Sequence, residues 1–146
     1  MSAMYLELGD WENFRSIFAP DAVIHDERPN STNAIIGQDA ILRNFRDVAE
    51  RGVTRVSVEL IAAREDGLAF ARMEMCAKDG SVIASFYDVS QADGTLIVSG
   101  WLYDSLDIAR ARFDHLDHEI YGTPIALEAE DVAEGAPFSE IGRAHV

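Results

Sequence analysis

Four consecutive ionisable residues, His25, Asp26, Glu27 and Arg28, stand at the end of a short apolar run, Ala22 to Ile24. Charges at the end of a buried strand are costly unless paired or used, so chemistry is sought there first. Strand periodicity puts Asp26 and Arg28 on one face and His25 on the other. The Asp-x-Arg pair suits an anionic or carbonyl substrate, and a structural ion pair explains it equally well. A carboxyl held in an apolar pocket has a raised pKa and becomes a usable base for a proton next to a carbonyl. His115 and His118, three apart with Asp114 and Asp117 alongside, have a spacing metal ligands use. A solvated polar helix face is the preferred reading of them, and no metal is expected. Met73, Trp101 and Tyr103 suit the lining of a flat-ligand pocket and suit core or dimer packing still better. Cys76 reads as a buried small hydrophobe. With no phosphate-cradling glycine loop, zinc cysteine pair or nucleophile elbow, no cofactor is expected.

The elements that must position these groups follow from periodicity. Asp10 caps a helix with Trp11, Phe14, Ile17 and Phe18 at helical spacing, stopped by Pro20 and Asp21. Ala22 to Asp26 is a strand. Gly37 opens a second helix, with Ile41, Leu42, Phe45, Val48 and Ala49 on one face, closed by Gly52. From Val53 the period changes to two. Val53 to Ala63, Leu68 to Ala77, Ser81 to Gln91 and Thr95 to Tyr103 are strands, separated by Asp66-Gly67, Asp79-Gly80 and Asp93-Gly94, which are hairpin signals. A last helix carries Leu106, Ala109, Phe113, Leu116 and Ile120 as one stripe and ends at Gly122 and Pro124. The expected fold class is α+β, with helices packed against one face of a curved antiparallel sheet.

The chain has 146 residues, enough for one domain. Its net charge of −14 would repel a phosphate backbone, and its 12 Lys and Arg are scattered, so nucleic acid is excluded as a partner. No apolar run approaches the roughly 20 residues that span a bilayer, so no membrane partner is expected. The N-terminus has no export signal and Cys76 stands alone, which makes a cytoplasmic location the expectation.

The order of elements and the texture GDW..F...FAPDAVI.D.R, IIGQDAI, the Asp-Gly turns and WLYDSLD..RARFD resemble the SnoaL-like branch of the nuclear-transport-factor-2-like superfamily. That branch is related to ketosteroid isomerases, polyketide cyclases and limonene epoxide hydrolases. The resemblance covers roughly Tyr5 to Tyr121. It implies a cone-shaped half-barrel, a curved antiparallel sheet wrapped by three helices around a deep apolar pocket, and a homodimer formed through the outer sheet face.

In the ketosteroid isomerase pattern Asp26 occupies the place of the proton-shuttling carboxylate; on the reading that Asp26 is a base, Arg28 or Arg72 would orient the substrate. The positions matching that enzyme's oxyanion donors are approximately Ser2 and Phe86, which cannot serve. Tyr87, Tyr103 or His25 would have to supply the donor. In the epoxide hydrolase pattern Arg72 and Glu74 fit the paired Arg and acid on one strand. The second acid is missing near Trp101, so Asp88 or Asp104 would have to replace it; an exposed ion pair is the preferred account of Arg72 and Glu74. The implied function is a cofactor-independent enzyme for a small apolar or carbonyl-bearing molecule, of isomerase, cyclase or lyase type. Asp26 would be its base, with Met73, Tyr87, Asp88, Trp101 and Tyr103 lining the pocket. The alternatives are a non-catalytic dimeric ligand-binding or structural domain and, more weakly, an epoxide hydrolase using Arg72 and Glu74.

Residues 1–121 are expected to form the domain and 122–146 an acidic mobile tail. The last six residues, IGRAHV, are the translation of a widely used sequencing adapter read after a two-base remainder. Residues 141–146 are therefore read as adapter read-through and set aside, with the natural C-terminus expected to be missing and the N-terminus clipped.

Overall fold

A computed structural model describes residues 4–29, 31, 34–122 and 127–128. In chain order the elements are β1 (Met4–Glu7), α1 (Trp11–Arg15), β2 (Phe18–Asp26), β3 (Ile35–Ile36), α2 (Gln38–Glu50), β4 (Val53–Arg64), β5 (Leu68–Ala77), β6 (Val82–Asp93), β7 (Leu96–Tyr103), α3 (Leu106–Tyr121) and β8 (Leu127–Glu128). The strands make one open, curved sheet in the order β1-β4-β5-β6-β7-β2-β3, with β8 pairing β4 at Ala62 and Ala63. Bulges near Leu60, Met75 and Gln91 bend the long strands and give the sheet a concave side. This is the expected α+β half-barrel. It has one departure from antiparallel pairing, because β2 runs parallel to β7.

Asp10 caps α1 by accepting from the Asn13 N–H at 3.3 Å, but the helix ends at Arg15, three residues earlier than the apolar spacing suggests. The Ile17 carbonyl accepts from the Ile97 N–H at 2.9 Å, so sheet pairing claims residues that helical spacing had assigned to α1. Pro20 lies inside β2, at an irregular stretch between Phe18 and Val23 where no ladder donor is needed. Gln38, in the IIGQDAI stretch, ties α2 to this junction. Its amide donates to the Arg15 and Phe18 carbonyls at 3.0 Å, and its oxygen accepts from the Arg15 Nε at 2.8 Å.

The helices do not share one face of the sheet. Helices α1 and α2 cover the concave side, where Phe14, Ile41 and Val56 are fully buried. Helix α3 packs on the opposite side through Ala109, Phe113 and Leu116 against Leu68, Phe70 and Val89. Its expected stripe is trimmed at both ends, since Leu106 and Ile120 are each 43% exposed. Asp117 is buried in their stead, because Arg64 at the end of β4 meets it with Nε 2.6 Å from Oδ1. Among the described residues no helix is long and apolar enough to cross a membrane. Apart from Gly122 and Leu127–Glu128, the segment expected as a tail lies outside the described residues, as does the IGRAHV terminus.

Candidate functional site

A cavity of about 230 Å³ opens between α1, α2 and the concave face of the sheet. Its walls are mostly apolar, including Phe14, Phe45, Met73 and Phe86. The polar groups that reach it are Arg28 from beyond β2, Asn44 and Arg51 from α2 and its end, and Asp88 and Ser90 from β6. Alternation along β6 delivers both: Phe86, Asp88 and Ser90 face the cavity while Tyr87 and Val89 face α3.

Asp88 is the one carboxylate among the described residues that line the cavity. It is 8% exposed, and its partner is the Ser90 hydroxyl, which donates to Oδ2. Burial favours the neutral acid and outweighs the stabilising hydrogen bond from Ser90, so the Asp88 pKa is pushed up to about 7. Gly100 faces it from β7: a side chain there would stand 3.6 Å from Asp88 Oδ1 and 3.7 Å from Ser90 Oγ. A glycine in this strand leaves open the space beside the carboxyl.

The register aligns Asp26, Leu102 and Asp88 in one row across β2, β7 and β6. Leu102 and Asp88 line the cavity, and residues in one row share a face, so Asp26 lies on the concave side. Asp26 itself is not among the lining residues. Its carboxylate is gripped by Arg28, with Nε to Oδ1 at 2.9 Å, Nη2 to Oδ2 at 2.7 Å and the Arg28 backbone N–H to Oδ1 at 3.1 Å. Burial alone would raise its pKa; the Arg28 hydrogen bonds and charge prevail and hold it below the ordinary carboxylate value. The row therefore pairs a carboxylate held ionised by Arg28 with a carboxyl that is protonated at mildly acidic pH and about half protonated near neutral pH. Arg28 reaches the cavity, with its guanidinium 4.8 Å from the centre of the Phe86 ring.

Of the pocket residues expected from sequence, Met73 and Asp88 line the cavity. Tyr87, Trp101 and Tyr103 do not; they point to the α3 side. Tyr87 packs near Phe70, Trp101 stacks on His25 with centroids 5.3 Å apart, and the Tyr103 hydroxyl accepts from Arg112 Nε at 2.9 Å. The reason is parity: neighbours in a strand cannot share a face, so Tyr87 and Asp88 part company. Arg72 and Glu74 form an ion pair at 3.2 Å on the face away from the cavity-lining Met73 and Met75. His25 lies on the opposite face from Asp26. His115 pairs with Glu119 at 3.0 Å on the exposed side of α3. Cys76 is buried. Sequence reasoning missed Ser90, Gly100, Asn44 and Arg51. Ser90 was within reach, since it stands two residues from Asp88 on the same face.

A family model described as a SnoaL-like domain matches residues 4–99. No curated protein matches the chain. Among solved structures, the chain is similar to a SnoaL-like family protein from Agrobacterium tumefaciens, with 16% identity over 68% of this chain and 86% of that one and a TM-score of 0.51. It is likewise similar to a nuclear-transport-factor-2-like protein from Anabaena variabilis, at 16% identity over 68% of this chain and 78% of the other, with a TM-score of 0.52. A third, from Mesorhizobium loti, has 19% identity over 66% and 78% of the two chains and a TM-score of 0.50. These likenesses agree with the fold, and the family match spans most of the chain: this protein belongs to the SnoaL-like domain family.

Proposed function

We propose that the protein is a cofactor-independent enzyme that moves a proton on a small apolar, carbonyl-bearing molecule, with Asp88 as the proton-transferring carboxyl. The observation that carries this is that one carboxyl, alone among the described residues lining an apolar cavity, has its pKa pushed up to about 7. A group poised near neutral pH is well matched to taking a proton and returning it. Ionised Asp88 removes a proton from the carbon next to the carbonyl. The C–H electron pair becomes the enolate double bond, and the carbonyl oxygen takes the negative charge. Arg28 stabilises that oxygen with the N–H groups not engaged by Asp26, which makes Asp26 a positioning residue. Where the enolate is conjugated with a neighbouring C=C, returning the proton from Asp88 to the far carbon of that double bond shifts it and completes an isomerisation; where the enolate carbon instead attacks a second carbonyl of the same molecule, the ring bond forms, the carbonyl π pair becomes an alkoxide, and that alkoxide takes the proton back from Asp88.

Asp26 as the base is the competing reading, favoured by its place in the same row and opposed by its grip on Arg28. Proton NMR in D2O, following deuterium incorporation next to the carbonyl over a panel of small ketones, separates the two. Asp88→Asn is expected to abolish enzyme-dependent exchange, and Asp26→Asn to slow it while leaving a measurable rate. Full exchange in Asp88→Asn, with loss in Asp26→Asn, would reverse the assignment. No exchange with any ketone in the wild-type protein would favour the non-catalytic ligand-binding domain. Homodimer assembly through the outer sheet face and a cytoplasmic place of action go with the enzymatic reading. A single-chain mass at sedimentation equilibrium would remove the dimer.

A further inference from the structure

The guanidinium groups of this chain fall into sets. Arg15, Arg28, Arg64 and Arg72 are paired with carboxylates. Arg46, Arg55, Arg110 and Arg112 lie over aromatic rings. Arg43 and Arg51 have neither kind of partner among the described residues; of the two only Arg51, exposed at its outer side, lines the cavity. It stands at the C-cap of α2, where Asn44, Val48 and Arg51 follow one another along the side of the helix that faces the cavity. The chain runs from Arg51 directly into β4 at Val53, and the first cavity-lining row across β1, β4 and β5 is apolar, Leu6, Val56 and Met75.

Arg51 and Asp88 belong to opposite ends of this space. Met75 pairs with Ala84, four residues along β6 from Asp88, which is about 13 Å at the rise of a strand. An apolar corridor thus runs from the buried carboxyl to an unneutralised cation. In a chain of net charge −14 an anion approaches with difficulty unless a local cation offsets the field. The C-terminal end of a helix also disfavours anions, so a carboxylate held there relies on the arginine.

We propose that the substrate is an apolar carbonyl compound ending in a carboxylate, with the carboxylate bound by Arg51 at the C-terminal end of α2 and the carbonyl carried to Asp88. The placement of the carbonyl rests on the proton-transfer reading above; the carboxylate end does not.

The matched probes are 9-oxodecanoate and 2-decanone, the same ketone chain with a carboxylate or a methyl at its far end. Titration calorimetry on the wild-type protein is expected to show 9-oxodecanoate binding about tenfold more tightly, the worth of one charge-assisted contact. In Arg51→Gln that preference is expected to collapse to within about twofold. Equal affinities in the wild type, no binding of 9-oxodecanoate, or a preference that survives Arg51→Gln would each overturn the proposal. Deuterium exchange on the same ketones reads Asp88 separately. Preferential binding without exchange would defeat the proton-transfer reading and leave carboxylate selection standing.

Discussion

Two aspartates in one row of the sheet carry opposite pKa shifts, and the difference lies in their partners. Asp26 has a guanidinium on both oxygens, while Asp88 has one hydroxyl and apolar walls. Buried carboxyls follow this rule: a charge partner lowers the pKa and desolvation without one raises it. The consequence for stability has a definite sign. Below the ordinary Asp pKa of 3.8 Asp88 is protonated whether the chain is folded or not. Between that value and about 7 the unfolded chain releases the proton and the folded one keeps it, so stability falls as pH rises through this window. The full cost is on the order of 4 kcal/mol from about 1.4 kcal/mol per pKa unit. Asp26 acts in the other direction, stabilising above its unfolded pKa and ceasing to do so as pH falls through its lowered folded value. Urea midpoints for wild type and Asp88→Asn at pH 5 and pH 8 isolate the first effect. The variant is expected to gain relative to wild type at pH 8, and parallel changes in the two proteins would contradict the assigned burial.

At the level of elements, the turn between β4 and β5 and the seat of α3 are each fixed by close contacts with the sheet. Gly67 sits in that turn with φ of +127°, and a Cβ there would collide with the Ala92 carbonyl oxygen. The same segment is bound to β6 by the Ala92 N–H donating to the Gly67 carbonyl at 2.6 Å. Gly67→Ala therefore combines backbone strain with a clash against main chain, and a loss of about 2 kcal/mol or more is expected in chemical denaturation. Phe113 is 1% exposed and lies 5.9 Å from Phe70, centroid to centroid. Phe113→Ala is expected to cost about 3–5 kcal/mol, and a negligible change would contradict the seating of α3. The helix stripe read from sequence located this anchor correctly. It erred at Leu106 and Ile120, because the buried face curves toward Asp117, where the Arg64 ion pair makes an acid the better occupant.

For the molecule as a whole, the chain's own pattern settled the element types and most of their order. Asp-Gly turns and period-two runs placed β4 to β7 to within two residues, since both signals are local. Periodicity also separated His25 from Asp26 and made Arg72 and Glu74 neighbours on one face. What it left open was which face would be hollow. Tyr87, Asp88, Trp101 and Tyr103 look equally suited to a pocket in sequence, yet only Asp88 lies on the side that α1 and α2 cover. Which side that is depends on β2 lying parallel to β7 and on α3 crossing to the far face, and both are long-range contacts. Likewise the acid at Asp26 announces itself by its charged neighbours, whereas its bond to Arg28 and the isolation of Asp88 arise from folding. Sequence by itself determined the strands, helices and candidate acids, because propensity and periodicity act over a few residues. Tertiary structure alone decided which acid is solvated, paired or stranded in an apolar space, because a pKa is set by everything packed around the group.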